Sequence, residues 1–120
     1  MRPAILDLDF YRGDSERLQV TFWDKDRQPV DLTDVSARAE IRDRPAGTIV
    51  IPMTCVVTLP NIIDVTLKAD DSRNLPPAGV WDLQLTYASG EVGTPLAGQV
   101  KVTPDVTDSL LIPVVNPLTP

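Results

Sequence analysis

The stretch "GVWDLQLTY", Gly79 to Tyr87, decides the fold: Trp81, Leu83, Leu85 and Tyr87 fall on one face, and Asp82, Gln84 and Thr86 on the other. An extended chain sends successive side chains to opposite sides, so this two-residue alternation reads as a strand with one buried and one wet face. The following "ASGEVGTP", with Gly90 and Gly93, turns the chain back. Leu96, Gly98, Val100 and Val102 then continue the alternation in a returning strand, which predicts an antiparallel pair.

The same period recurs towards the N-terminus. Leu18, Val20 and Phe22 alternate with Gln19, Thr21 and Trp23, and Ala37, Ala39 and Ile41 alternate with Arg38, Glu40 and Arg42. Ile49 to Leu59 is β-branched and nearly all apolar, broken by Pro52, while Ile63, Val65 and Leu67 alternate with polar neighbours. The "LPN" at Leu59 to Asn61 reads as the turn of a hairpin between them. No sustained helical stripe occurs, and "ADDSRNLPP" at Ala69 to Pro77 has room for one helical turn before Pro76 ends it.

These segments predict an all-β chain: a single Ig-like, Greek-key β-sandwich of six to seven antiparallel strands over residues 1–108, with an OB-type barrel as the fallback. Trp81, Leu83 and Leu85 are its expected core, together with Val20, Phe22 and Ile41. Residues 109–120, "SLLIPVVNPLTP", change character to apolar and Pro-rich, with no charge after Asp108. Leaving Leu110, Leu111, Ile112, Val114, Val115 and Leu118 in water would cost about 1.5–3 kcal/mol each, so something should cover them. The segment is a last strand of the same domain, an extended C-terminal arm laid on a neighbouring copy, or a disordered tail. The division adopted is a domain of 1–108 and an arm of 109–120.

Composition narrows the function. Lys plus Arg number 11 against 17 Asp plus Glu, a net charge of −6, without a basic run. Nucleic-acid binding needs a concentrated cationic face, so none is expected. No apolar run reaches signal-peptide or membrane-spanning length, which predicts a protein made in the cytosol with no membrane contact. Histidine is absent and Cys55 is the only cysteine, so the commonest general base and the commonest metal ligands are missing. Cys55 reads as an inert core thiol.

The candidate chemistry is sparse. "DKDRQP" at Asp24 to Pro29 begins like a calcium loop but lacks the further acidic positions and the glycine. The pairs Asp7/Asp9 and Asp70/Asp71 have no third ligand or nucleophile beside them. No catalytic residue, metal site or cofactor site is expected. Trp23, on the polar face just before a turn, is the candidate partner contact. "YRGDS" at Tyr11 to Ser15 contains the tripeptide of integrin-binding loops, but Gly13 and Asp14 are also ordinary turn residues.

Three stretches, "FYRGDSERLQVTFWDKDRQPVDLTDVSARAEIRD", "LKADDSRNLPPAGVWDLQLTYASGEV" and "LAGQVKVTPDVT", together resemble the small β-sandwich module of tailed-bacteriophage tail and baseplate proteins. The similarity includes the N-terminal domain of baseplate upper proteins and covers Phe10 to Thr107. It implies a non-enzymatic structural protein of the virion, in tail, neck or baseplate. Such a protein would be produced in the bacterial cytoplasm and packed as a homo-oligomer with copies of itself and other virion proteins. In that setting Gly13 and Asp14 form a structural turn rather than an adhesive loop. Baseplate proteins of this kind continue into a fibre, and this sequence stops at Pro120, so it is expected to be a module that binds neighbours. A capsid decoration protein and a host-surface carbohydrate-binding module using Trp23 are the alternatives.

Overall fold

The computed structural model describes residues 3–104. They form β1 (Ala4–Ile5), β2 (Leu8–Tyr11), β3 (Glu16–Thr21), β4 (Ser36–Arg42), β5 (Val50–Thr58), β6 (Ile62–Leu67), α1 (Ala69–Ser72), β7 (Ala78–Thr86) and β8 (Val92–Thr103). The fold is all-β, with a single helical turn where one was expected. The strands make one continuous curled sheet in the order β1-β8-β7-β4-β5-β6-β3, with β2 also on β8.

The curl originates in β5. Its first half pairs with β4 (Met53 opposite Ala39, Ile51 opposite Ile41) and its second half with β6 (Thr54 opposite Thr66, Val57 opposite Ile63). A strand that changes partners part-way turns a corner, and the two arms of the sheet then face each other across one core. Pro52, expected to break this segment, lies inside it. β6 joins only from Thr54 onward, so β5 has a free side at Pro52, the setting in which a residue without an amide hydrogen fits a strand.

Alternation correctly placed the core. Ile41 and Leu83 are fully buried and Trp81 and Leu85 nearly so, with Val20 and Phe22 packed against them half-buried. Tyr87, on the same stripe, is exposed because β7 ends at Thr86 and Tyr87 begins the turn. The "LPN" hairpin is present between β5 and β6.

Three expectations change. Among the described residues the strands number eight rather than six or seven, because the N-terminal residues supply two short ones. Those two pair parallel to β8, Ala4 opposite Leu96 and Leu8 opposite Val100, so the sheet is not wholly antiparallel. β8 also begins at Val92, with Gly93 inside the strand rather than in the loop. A register shift facing Leu83 to Leu85 absorbs Thr94 and Pro95, and a bulge is where a sheet tolerates proline.

Candidate functional site

The Arg-Gly-Asp turn is clamped to the body. Asp14 N–H donates to the Tyr11 carbonyl at 3.1 Å, closing a turn in which Gly13 has φ 92°. That left-handed value at the third turn position is what a type II turn requires and what glycine supplies without a steric penalty. Gly13 N–H then donates to Ser72 Oγ at 2.9 Å, and Arg12 Nη2 donates to the Leu75 carbonyl at 3.1 Å. Ser72 is wholly buried at the end of α1, so the helical turn serves as an anchor for the loop. Asp14 stays exposed, but Arg12 is engaged by its own chain and is not presented alongside it.

Trp23 lies just beyond β3, 59% exposed, bridged to Pro29 across the Asp24 to Gln28 loop. Asp24 organises that loop itself: its Oδ1 accepts from the amides of Asp26 and Gln28 at 2.8 and 2.9 Å. The acidic residue that begins the calcium-like string is thus a turn former. Phe22 N–H donates to the Asn61 carbonyl at 2.9 Å, which brings Trp23 beside the β5–β6 turn, where Leu59 is 57% exposed. Val56 projects from the outer face of β5 and is also more than half exposed. Trp23 and Leu59 near the β5–β6 turn and Val56 further along β5 therefore face solvent.

The outer face of β4, β7 and β8 carries a polar groove of about 500 Å³, lined by Arg38, Glu40, Arg42, Asp82 and Gln84 and rimmed by Pro45 and Ala46. Register creates it: Arg38 lies opposite Gln84, Glu40 opposite Asp82, and Arg42 opposite Val80. Glu40 accepts from Arg42 at 2.9 Å and pairs with Arg38 on its other oxygen. Burial pushes the Glu40 carboxyl up, but the hydrogen bonds and charges of the two arginines outweigh it and hold the group below its ordinary value. Asp82 moves the other way. Burial raises it, and Glu40 across the strand pair raises it further against the weaker pull of Arg42 and Arg38. Two carboxylates with opposed proton affinities thus share one face, as a supported anion beside a strained one.

The acidic pairs are partly engaged by the chain itself. Asp7 accepts from the Gln99 amide at 2.9 Å, and Asp70 pairs with Arg73 at 2.7 Å. Cys55 is half-buried, and burial pushes its thiol up, away from the reactive thiolate. Among the described residues no group of three or more His, Cys, Asp or Glu is placed to hold a metal ion, and no helix is long and apolar enough to cross a membrane. Leu110, Leu111, Ile112, Val114, Val115 and Leu118 lie outside the described residues.

The exposure of Trp23 and the turn at Gly13 were legible in the sequence, whereas the burial of Ser72 and the Glu40–Asp82 pair were not. The outward positions of "AEIR" and "VWDLQ" signalled charged faces, but nothing local states that two such faces are neighbours. No protein-family model matches the chain, and no curated protein matches it.

Proposed function

We propose that this chain is a non-enzymatic structural protein of a tailed-phage virion, a tail, neck or baseplate component held in place by packing against other virion proteins and copies of itself. The observation that carries the reading is the exposed apolar end of the sheet. Trp23 and Leu59, which flank the β5–β6 turn, and Val56 on the outer face of β5 each leave more than half of their surface in water, and exposed large apolar side chains of this kind suit a docking surface. An aromatic anchor ringed by polar groups is the usual centre of a protein interface. The clamped Arg-Gly-Asp turn supports the same reading, since it serves the fold rather than adhesion. The sequence resemblance supplies the virion context.

Cryo-EM and mass spectrometry of purified particles test it. The chain should be present in a fixed, symmetry-related copy number with the Trp23 end buried against a neighbour. Absence from purified particles would overturn the reading. Density on the capsid shell alone would make it a decoration protein. The alternative of a carbohydrate-binding module draws on the same exposed indole, which is free to stack on a sugar ring, and glycan-array binding lost in Trp23→Ala would favour it.

A further inference from the structure

The curled sheet leaves a seam. β2 and β3 follow one another through the Tyr11–Asp14 turn, yet among the described residues β2 pairs only with β8 and β3 only with β6. Between them Leu8, Phe10 and Leu18 line a mainly apolar cleft of about 90 Å³ that reaches down to Met53, Val65 and Leu67. Val65 and Leu67 are buried, but Leu8, Phe10 and Leu18 are covered only in part. A cavity of about 150 Å³ accepts benzene, so this one has the size for a single aliphatic side chain.

The backbone beside the cleft is open as well. Phe22 directs its N–H to Asn61, and bonded residues alternate along an antiparallel ladder. Leu18 and Val20 therefore turn their amides to β6, while Arg17 and Gln19 turn theirs to the free edge. An open edge with an apolar pocket beside it takes an added strand, main-chain bonds giving affinity and the pocket selecting alternate side chains.

We propose that the seam receives residues 109–120 of a second copy of this chain, added as a strand to the free edge of β3. The segment has the required chemistry: no charge, and Leu110, Leu111, Ile112, Val114 and Val115 in close succession. Pro113 suits a strand with one unpaired side. Both alternating faces of the segment are apolar. Laid on its own edge, one face would share the wet side with Arg17 and Gln19, which are exposed. Covering both faces requires two bodies, the acceptor's seam beneath and the donor above. The described chain leaves β8 at Thr103 beside the Tyr11–Asp14 turn, where Arg12 N–H donates to the Thr103 carbonyl at 2.8 Å. Donor and acceptor are different surfaces, so the contact is head-to-tail and propagates into rings or stacks. This inference rests on the reading of the chain as a multi-copy assembly protein.

Cysteine cross-linking of the full chain tests it. Chains carrying Gln19→Cys are mixed with chains carrying Leu111→Cys or Ile112→Cys and oxidised mildly; the half-buried Cys55, common to all, sets the background. A disulfide-linked dimer that needs both new cysteines is the expected result. Unlinked mixtures, together with an intrachain bond when both substitutions share one chain, would overturn the exchange in favour of the chain's own edge. No link in either arrangement would overturn docking in the seam altogether. Particle incorporation of Ile112→Asp separates the two levels: incorporation retained with cross-linking lost sinks the seam and leaves the virion reading standing. A chain never found in particles sinks the virion reading, while the cross-link still decides the seam.

Discussion

The indole Nε1–H of Trp81 donates to the carbonyl oxygen of Leu6 at 2.8 Å, reaching from β7 past β8 to the break between β1 and β2. Trp81 lies opposite Gly98 in the β7–β8 pairing, and a Cβ on Gly98 would run into the Leu6 carbonyl. The missing side chain at Gly98 is what lets the N-terminal backbone come close enough to accept that bond. Leu6 keeps its N–H on the Ala97 carbonyl at 2.9 Å while its own carbonyl takes the indole, and the Asp7 carboxylate accepts from the Gln99 amide. Trp81→Phe keeps most of the apolar volume and removes the donor, so it should cost about 1–3 kcal/mol. Trp81→Ala should cost about 3–5 kcal/mol and unfold a domain of ordinary stability. Urea denaturation reads both; a Trp81→Phe midpoint equal to the parent's would show that the bond contributes nothing.

Gly13→Ala forces a side chain into the left-handed region and should destabilise by about 1–2 kcal/mol. Ser72→Ala removes the buried acceptor of the Gly13 amide and should cost about 1–3 kcal/mol. Asp14→Glu changes only an exposed side chain and should stay within about 0.5 kcal/mol. Thermal melts of the three variants check the ranking, and melting temperatures for Gly13→Ala and Ser72→Ala equal to the parent's would contradict the assignment of this tripeptide to the fold.

The two carboxylates of the outer groove should pull stability in opposite directions with pH. Glu40 sits below its ordinary value of 4.5 in the folded chain, so its contribution is present above that pH and is lost as pH falls through the lower folded value. Asp82 sits above its ordinary 3.8, so the stability it contributes is complete below 3.8 and is lost as pH rises through the folded value. Asp82→Asn should therefore be more stable than the parent at pH 7, with the advantage shrinking as pH falls through the raised folded value and gone below 3.8. Glu40→Gln should be less stable at pH 7, with the deficit shrinking in acid. Denaturation midpoints across pH 3 to 7 decide it; parallel curves for Asp82→Asn and the parent would remove the argument.

Trp23→Ser should leave the melting temperature nearly unchanged, because the ring is mostly in solvent, and should reduce incorporation into particles. Normal incorporation at wild-type stability would move the contact surface elsewhere.

Strand identity and facing were readable along the chain because they depend on a two-residue period. "GVWDLQLTY" separates inside from outside without reference to any other segment, and Gly13 declared a turn through backbone freedom alone. What sequence could not supply was adjacency. The partner change of β5 at Met53–Thr54, the parallel pairing of the N-terminal strands on β8 and the meeting of Glu40 with Asp82 join residues far apart in the chain. Each is set by where the whole sheet finds hydrogen-bond partners as it closes over one core. Ser72 makes the same point most sharply: a serine in a polar string has no local mark of burial, and only the docking of the Tyr11–Asp14 turn against α1 turned it into the buried acceptor that holds that turn in place.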